Sequence, residues 1–149
     1  MISIQVKSFQ QLTKEELYAI LQLRVAVFVV EQNCPYQDVD GKDEKALHVF
    51  GLKDEVIVAY TRIFNAGDYF DEASIGRVVV AEDQRKYKYG YDIMNASINA
   101  VDEYFNTATI HLSAQVYLTK FYTNLGFDTI GKEYLEDDIP HIKMVREVT

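Results

Sequence analysis

Several residue types are scarce. The 149-residue chain has one cysteine, Cys34, two prolines, no tryptophan, and 15 basic residues against 23 acidic ones. A lone cysteine forms no intrachain disulfide and supplies no cysteine-based zinc site. A reducing compartment fits that usage, and a cytoplasmic location is expected. Two prolines force few breaks, so loops should be short. A formal net charge of −8 leaves no basic face for phosphate backbones, and nucleic acid is not expected as a partner. No segment approaches the ~20 apolar residues of a membrane span. Residues 1–7 alternate like a strand rather than forming the apolar core of a signal peptide, so no membrane association is expected.

The composition is otherwise that of a folded domain, 48% hydrophobic and 26% charged. The length predicts a single domain over 1–149, large enough for a real core. Ile2, Ile4 and Val6 alternate as a first strand. Thr13 and Glu16 form a capping box, with Leu12 placed to staple onto Leu17. The stripe Leu17, Ile20, Leu21, Arg24, Val25 and Phe28 continues that helix, whole or broken in two, to near Gln32. Strands are predicted over 46–52, 55–64 and 75–80. The second of these has Val56, Val58, Tyr60, Arg62 and Phe64 on one face. Met94, Ile98, Val101 and Phe105 mark a second helix. A strand over 109–115 follows, then a short helix closed by Gly126. Two strands, about 128–135 and 141–148, are joined by a loop through Pro140. The order is β-α(α)-β-β-β-α-β-α-β-β. It predicts an α/β (α+β) fold with one mixed sheet, helices on both faces, and a right-handed crossover between the fourth and fifth strands.

The most informative segment is 75–90. A buried-strand signal, Ile75 to Val80, runs into Arg85, Lys86, Tyr87, Lys88 and Tyr89, then Gly90 and a helix. Free N–H groups and the positive helix end converge there, which suits a phosphate. The cationic loop stands out in an acidic chain.

These features, with Phe121-Tyr122-Thr123-Asn124-Leu125-Gly126-Phe127, resemble the GCN5-related N-acetyltransferase (GNAT) superfamily. Its acetyl-CoA loop reads Arg/Gln-x-x-Gly-x-Gly/Ala; here Arg85 leads, Gly90 closes, and Lys88 replaces the first glycine. The block from Leu21 to Gly41 and the stretch Ile139-Pro140-His141-Ile142 resemble its ElaA-like branch. The resemblance implies a mostly antiparallel sheet of six to seven strands whose fourth and fifth members splay apart. The edge at Val78, Val79 and Val80 would pair with the pantetheine amides of acetyl-CoA. The amides of Arg85 to Gly90 would hold the pyrophosphate. Gln115 falls where the family often has a cofactor-touching asparagine, Phe121 joins the cofactor set, and Tyr122 falls on the general acid. Homodimers are common in the superfamily, and a homodimer is the assembly it implies.

Acetyl transfer to an amine needs a neutral, aimed nucleophile and a protonated leaving thiolate, and it requires no metal. Many family members place a carboxylate base on the fourth strand; this chain has Gly76 and Arg77 there. Glu31, His48, His111, His141 or a water chain remain as candidates, and His141 is favoured because neutral imidazole accepts a proton near pH 7. Arg24 and Arg62 lie on apolar faces, where an unpaired charge is costly. With Arg77 they either grip a substrate carboxylate or pair internally with Glu31, Asp38 or Asp40. Arg24, Phe28, Glu31, His48, Arg62 and Arg77 form the expected acceptor set, for a small-molecule or protein amine. Two other functions compete with amine acetylation. An acyl-homoserine-lactone synthase-like enzyme would share the fold and the pattern Arg24-Val25-Ala26-Val27-Phe28, but that family uses tryptophans near its N-terminus. A non-catalytic acyl-CoA sensor or protein-binding module would share the donor site.

Overall fold

The structure is a computed structural model that describes residues 2–147. Seven strands form one sheet in the order β1-β2-β3-β4-β5-β7-β6. They are β1 (Ser3–Ser8), β2 (Leu47–Lys53), β3 (Val56–Phe64), β4 (Ser74–Val80), β5 (Ile110–Gln115), β6 (Asp128–Glu136) and β7 (Ile139–Arg146). Helix α1 (Lys14–Arg24) follows β1, α2 (Tyr89–Phe105) joins β4 to β5, and α3 (Thr119–Thr123) follows β5. The element order is the one the sequence predicts.

Local chemistry sets the first helix. Thr13 Oγ1 accepts from Glu16 N–H and Glu16 Oε1 accepts from Thr13 N–H, a complete capping box. Beyond Arg24 the chain widens into a π-helical segment, Val25–Glu31. The β-branched run Val25, Val27, Val29 and Val30 is poorly suited to a regular helix. Wide turns of this kind concentrate at functional sites, and this one turns Val27, Phe28 and Glu31 toward the same cavity.

The sheet separates two apolar layers. Ile20, Val27, Phe50, Tyr60 and Val79 pack on the α1 side. Val49, Ile63, Ile75, Ile93, Val101 and Phe127 belong to the larger layer under α2 and α3. Thr61 and Ser97 share a hydrogen bond inside that layer, and Ser97 donates to Ile93 O, so neither hydroxyl is stranded.

Three details differ from the sequence reading. Gly51 pairs with Ala59 and Leu52 with Ile57, leaving Val58 as an extra residue. This bulge moves Val58 to the α2 face while Tyr60 packs on the α1 face, and Val56 is exposed. The β6–β7 connection is a two-residue turn, Asp137-Asp138, both at positive φ (50° and 63°), not a loop through Pro140. Pro140 sits inside β7 beyond the last β5 pair, Gln115 with His141, so its missing N–H breaks no β5 ladder. The expected end of the last strand, residue 148, lies outside the described residues.

Candidate active site

Two irregularities open the sheet at its centre. β4 and β5 are parallel but share one pair, Ser74 with His111. Beyond it they separate. In β4, Tyr60 pairs with Val79 and Arg62 with Gly76, so Arg77 and Val78 together oppose Thr61. Arg77 reaches φ 51°, which releases the strand from regular pairing. A cavity of about 560 Å³ fills the gap. Val78, Val79 and Val80 line one wall; Leu112, Ser113 and Gln115 of β5 line another.

At the α2 end the chain forms a 3₁₀ turn, Glu82–Tyr87. Gln84 N–H donates to Ala81 O and Lys88 N–H to Arg85 O, so these amides are engaged. Tyr91 N–H donates to Lys88 O, whereas the N–H groups of Tyr89 and Gly90, first in α2, have no main-chain acceptor among the described residues. Fewer amides of this segment are free than the sequence suggests. The Arg85, Lys88 and Gly90 positions face the cavity. Lys86, Tyr87 and Tyr89 do not line it: Tyr87 stacks on Tyr89 under the Lys53 ammonium, 3.8 Å above its ring, and Lys86 lies over the Tyr87 ring. Lys88 adopts the left-handed conformation, φ 60°, which explains a glycine preference at this position.

The Arg85 guanidinium donates to both Glu31 carboxylate oxygens, at 2.5 and 2.7 Å, and Nε donates to Val80 O at 3.2 Å. Hydrogen bonds from Arg85 hold the Glu31 carboxyl below its ordinary value. Glu31 is thus a partner of Arg85 at the cavity rim. Gln115 and Gln32 exchange amide hydrogen bonds across the same space.

Tyr122 and Phe121 project from α3 into the cavity. Tyr122 is 5% exposed, and its hydroxyl makes no hydrogen bond among the described residues. Burial holds that hydroxyl well above the ordinary tyrosine value, so it stays protonated and can donate. His141 is 6% exposed and lines the cavity beside its β5 partner Gln115, with Nδ1 2.7 Å from Ile139 O and Nε2 3.4 Å from Glu136 Oε2.

The arginines resolve into one charge network. Arg24 donates to Asp38 and Asp43, and Arg62 to Asp40 and Asp43. Arg77 Nε lies 3.0 Å from Asp38 Oδ1 without hydrogen-bond alignment, and its Nη2 donates to Asp38 O at 3.1 Å. Three arginines face three aspartates. Arg24 is fully buried with both guanidinium ends engaged, and it does not reach the cavity. His48 is likewise buried away from it, accepting from the Tyr60 hydroxyl at Nδ1 and donating from Nε2 to Asp43 O. Burial lowers its basicity. Neither residue meets an acceptor; both hold the 38–45 segment onto the sheet. Arg62 and Arg77 do reach the wall, already neutralised, and Phe28 joins them. His111 faces Glu72 and lies off the cavity.

Sequence reasoning missed Glu136, Asp137, Tyr36 and the aromatic group Phe64, Tyr69 and Phe70, all on the cavity wall. The signal for Glu136 was present: a two-residue Asp-Asp turn fixes the hairpin register and sets Glu136 opposite Ile139, two residues from His141.

A mixed sheet splayed around a cavity, with a cationic strand–turn–helix at one end and a buried tyrosine inside, is the architecture of an acyl-group transferase. Residues 10–148 match the family model described as acetyltransferase (GNAT) domain, and the chain belongs to that family. Within it the chain lies in the ElaA-like branch. It is 43% identical over 150 aligned positions to Protein ElaA of Escherichia coli, spanning 99% of this chain and 98% of ElaA. The crystal structure of Escherichia coli ElaA superposes with a TM-score of 0.91 at 42% identity, covering 99% of this chain and 100% of that one. An acyl-CoA N-acyltransferase from Pseudomonas aeruginosa also gives 0.91, at 39% identity over 98% and 99% of the two chains.

Proposed function

We propose that this protein is a cytoplasmic enzyme that moves the acetyl group of acetyl-CoA to a primary amine, on a small molecule or a protein, by direct transfer in a ternary complex. The observation that carries this reading is the β4 edge from Gly76 to Val79, which pairs with no residue of β5 and faces a cavity lined by Gly90 of the first α2 turn and by Tyr122. An extended amide-bearing arm completes such an edge as an extra strand. The Tyr89 and Gly90 amides, with Lys88 beside them, suit its anionic end. The family model, named for acetyl transfer, and the Pseudomonas aeruginosa relative, named for acyl-CoA chemistry, support the donor class.

Each residue then has one task. His141 takes a proton from the ammonium, and the resulting amine attacks the thioester carbonyl. A backbone N–H near Val78 polarises that carbonyl. Tyr122 protonates the departing thiolate and is reprotonated from the amine nitrogen. Acid and base contribute about 10²–10⁴-fold each, and alignment supplies the rest. The network of Arg24, Arg62 and Arg77 with Asp38, Asp40 and Asp43 is balanced three against three and offers no surplus charge to a substrate carboxylate, which favours amines over anionic acceptors.

The test is calorimetric titration with acetyl-CoA, followed by a thiol-release screen over an amine panel. Binding and release of CoA thiol with at least one amine are expected. Absence of acetyl-CoA binding at about 100 μM, inside the usual KM range, overturns the reading.

A further inference from the structure

We propose that Glu136, supported by Ser113 and acting through His141, is the exit by which the proton freed in each turnover leaves the cavity. This inference rests on the acetyltransferase reading above. The need for an exit follows from atom balance. The acceptor arrives as an ammonium; the products are an amide and a thiol. Nitrogen loses two protons, sulfur gains one, and one proton must reach solvent.

His141 cannot release it directly, being 6% exposed. Its tautomer is fixed by its neighbours. Ile139 O only accepts, so Nδ1, 2.7 Å away, carries the hydrogen. In the neutral ring Nε2 is then the basic atom, and it faces Glu136 Oε2 at 3.4 Å. Once Nε2 takes the substrate proton, the carboxylate stabilises the imidazolium and receives the proton. The Glu136 side chain is 52% exposed and hands it to water. Ser113 Oγ donates to Glu136 Oε1 at 3.4 Å and is also hydrogen-bonded to the Tyr134 hydroxyl. The Tyr134 ring stacks on His141, centroids 6.1 Å apart and planes 26° from parallel. Gln115 is its register partner on β5, and Asp137, Arg77 and Tyr122 line the same cavity. Arg77 is already paired with Asp38, and Glu136 is the carboxylate that lies against the ring.

A hairpin-bracing role would leave the chemistry of His141 untouched, and the experiment separates the two. In E136Q kcat should fall roughly tenfold, with KM for acetyl-CoA unchanged. Added formate, a small carrier able to take the proton in place of the missing carboxylate, should restore part of that loss, and E136D should keep most of the activity; loss of a hairpin brace would respond to neither. S113A should lower kcat by about threefold. An E136Q kcat equal to wild type overturns the proposal, and so does a loss that formate does not relieve. If the wild-type protein turns over no amine, the acetyltransferase reading fails and takes the exit role with it.

Discussion

Gly90 and Phe121 are packed so closely that a methyl group on Gly90 would lie 3.3 Å from ring atoms Cε1 and Cζ. The first turn of α2 thereby meets α3 at one end of the cavity. Gly90→Ala gains up to about 1 kcal/mol of helix propensity, and the displaced ring offsets it. The melting temperature should stay within about 3 °C of wild type. CoA affinity should fall about tenfold, because the ring moves into the space beside the free amides. A thermal melt and a calorimetric titration read the two effects separately.

Lys88 separates backbone strain from charge. Its left-handed backbone, φ 60°, disfavours a side chain that glycine lacks. Lys88→Gly should raise the melting temperature by about 2–4 °C, the equivalent of roughly 1 kcal/mol in a chain of this size. It also removes a cation from the cavity wall. CoA should therefore bind about threefold to tenfold more weakly at low ionic strength, with the gap closing as salt rises. A variant that binds CoA more tightly would refute the electrostatic part.

Tyr122→Phe should lower kcat by about 10² or more while leaving KM for acetyl-CoA nearly unchanged. Stability should change by less than about 1 kcal/mol, since the hydroxyl has no hydrogen-bond partner to lose among the described residues. Burial raises the hydroxyl pKa, so the acid remains protonated past the ordinary value of about 10. Any alkaline limb of kcat below that pH belongs to another group and should persist in the variant. Steady-state kinetics over pH check both points.

Asp43 bridges Arg24 and Arg62 from a buried position. Removing its charge in Asp43→Asn leaves two buried guanidinium groups underpaired and should cost about 3–5 kcal/mol. The pH sign follows from the shifts. Burial pushes the Asp40 and Asp43 carboxyls up, but their arginine partners outweigh it and hold both below the ordinary aspartate value. The stability they add is complete above the unfolded value, about pH 4, and is lost as pH falls toward the depressed folded values. Urea unfolding at pH 7 and pH 3 should show a large loss for wild type and a smaller one for Asp43→Asn.

Much of the scaffold was legible because its signals are local. Thr13 with Glu16, and Met94 with Val101, each read as one element from spacing alone. The segment 75–90 pointed to one end of the cavity for the same reason: strand, cations and helix start are contiguous. Long-range pairing was not legible. Asp38 and Asp40 stood among the expected partners of the arginines, but nothing near Arg24 or Arg62 reveals that Asp43 bridges the two, and nothing near His48 reveals the Tyr60 hydroxyl. The bulge at Val58 is visible only once β2 and β3 are in register. The loop cations misled in part, since Lys86 lies over the Tyr87 ring and away from the cavity.

Because β4 and β5 share a single pair, the middle of this sheet is a seam rather than a continuous ladder. A bound donor arm would stitch the seam, and a ligand that recognises only the native state adds about 2.7 kcal/mol when present at one hundred times its Kd. Thermal endurance of the protein would then track the cell's supply of acyl donor. A well-fed cell would keep the molecule closed and long-lived, and a starved one would leave its two halves freer to part and easier to degrade.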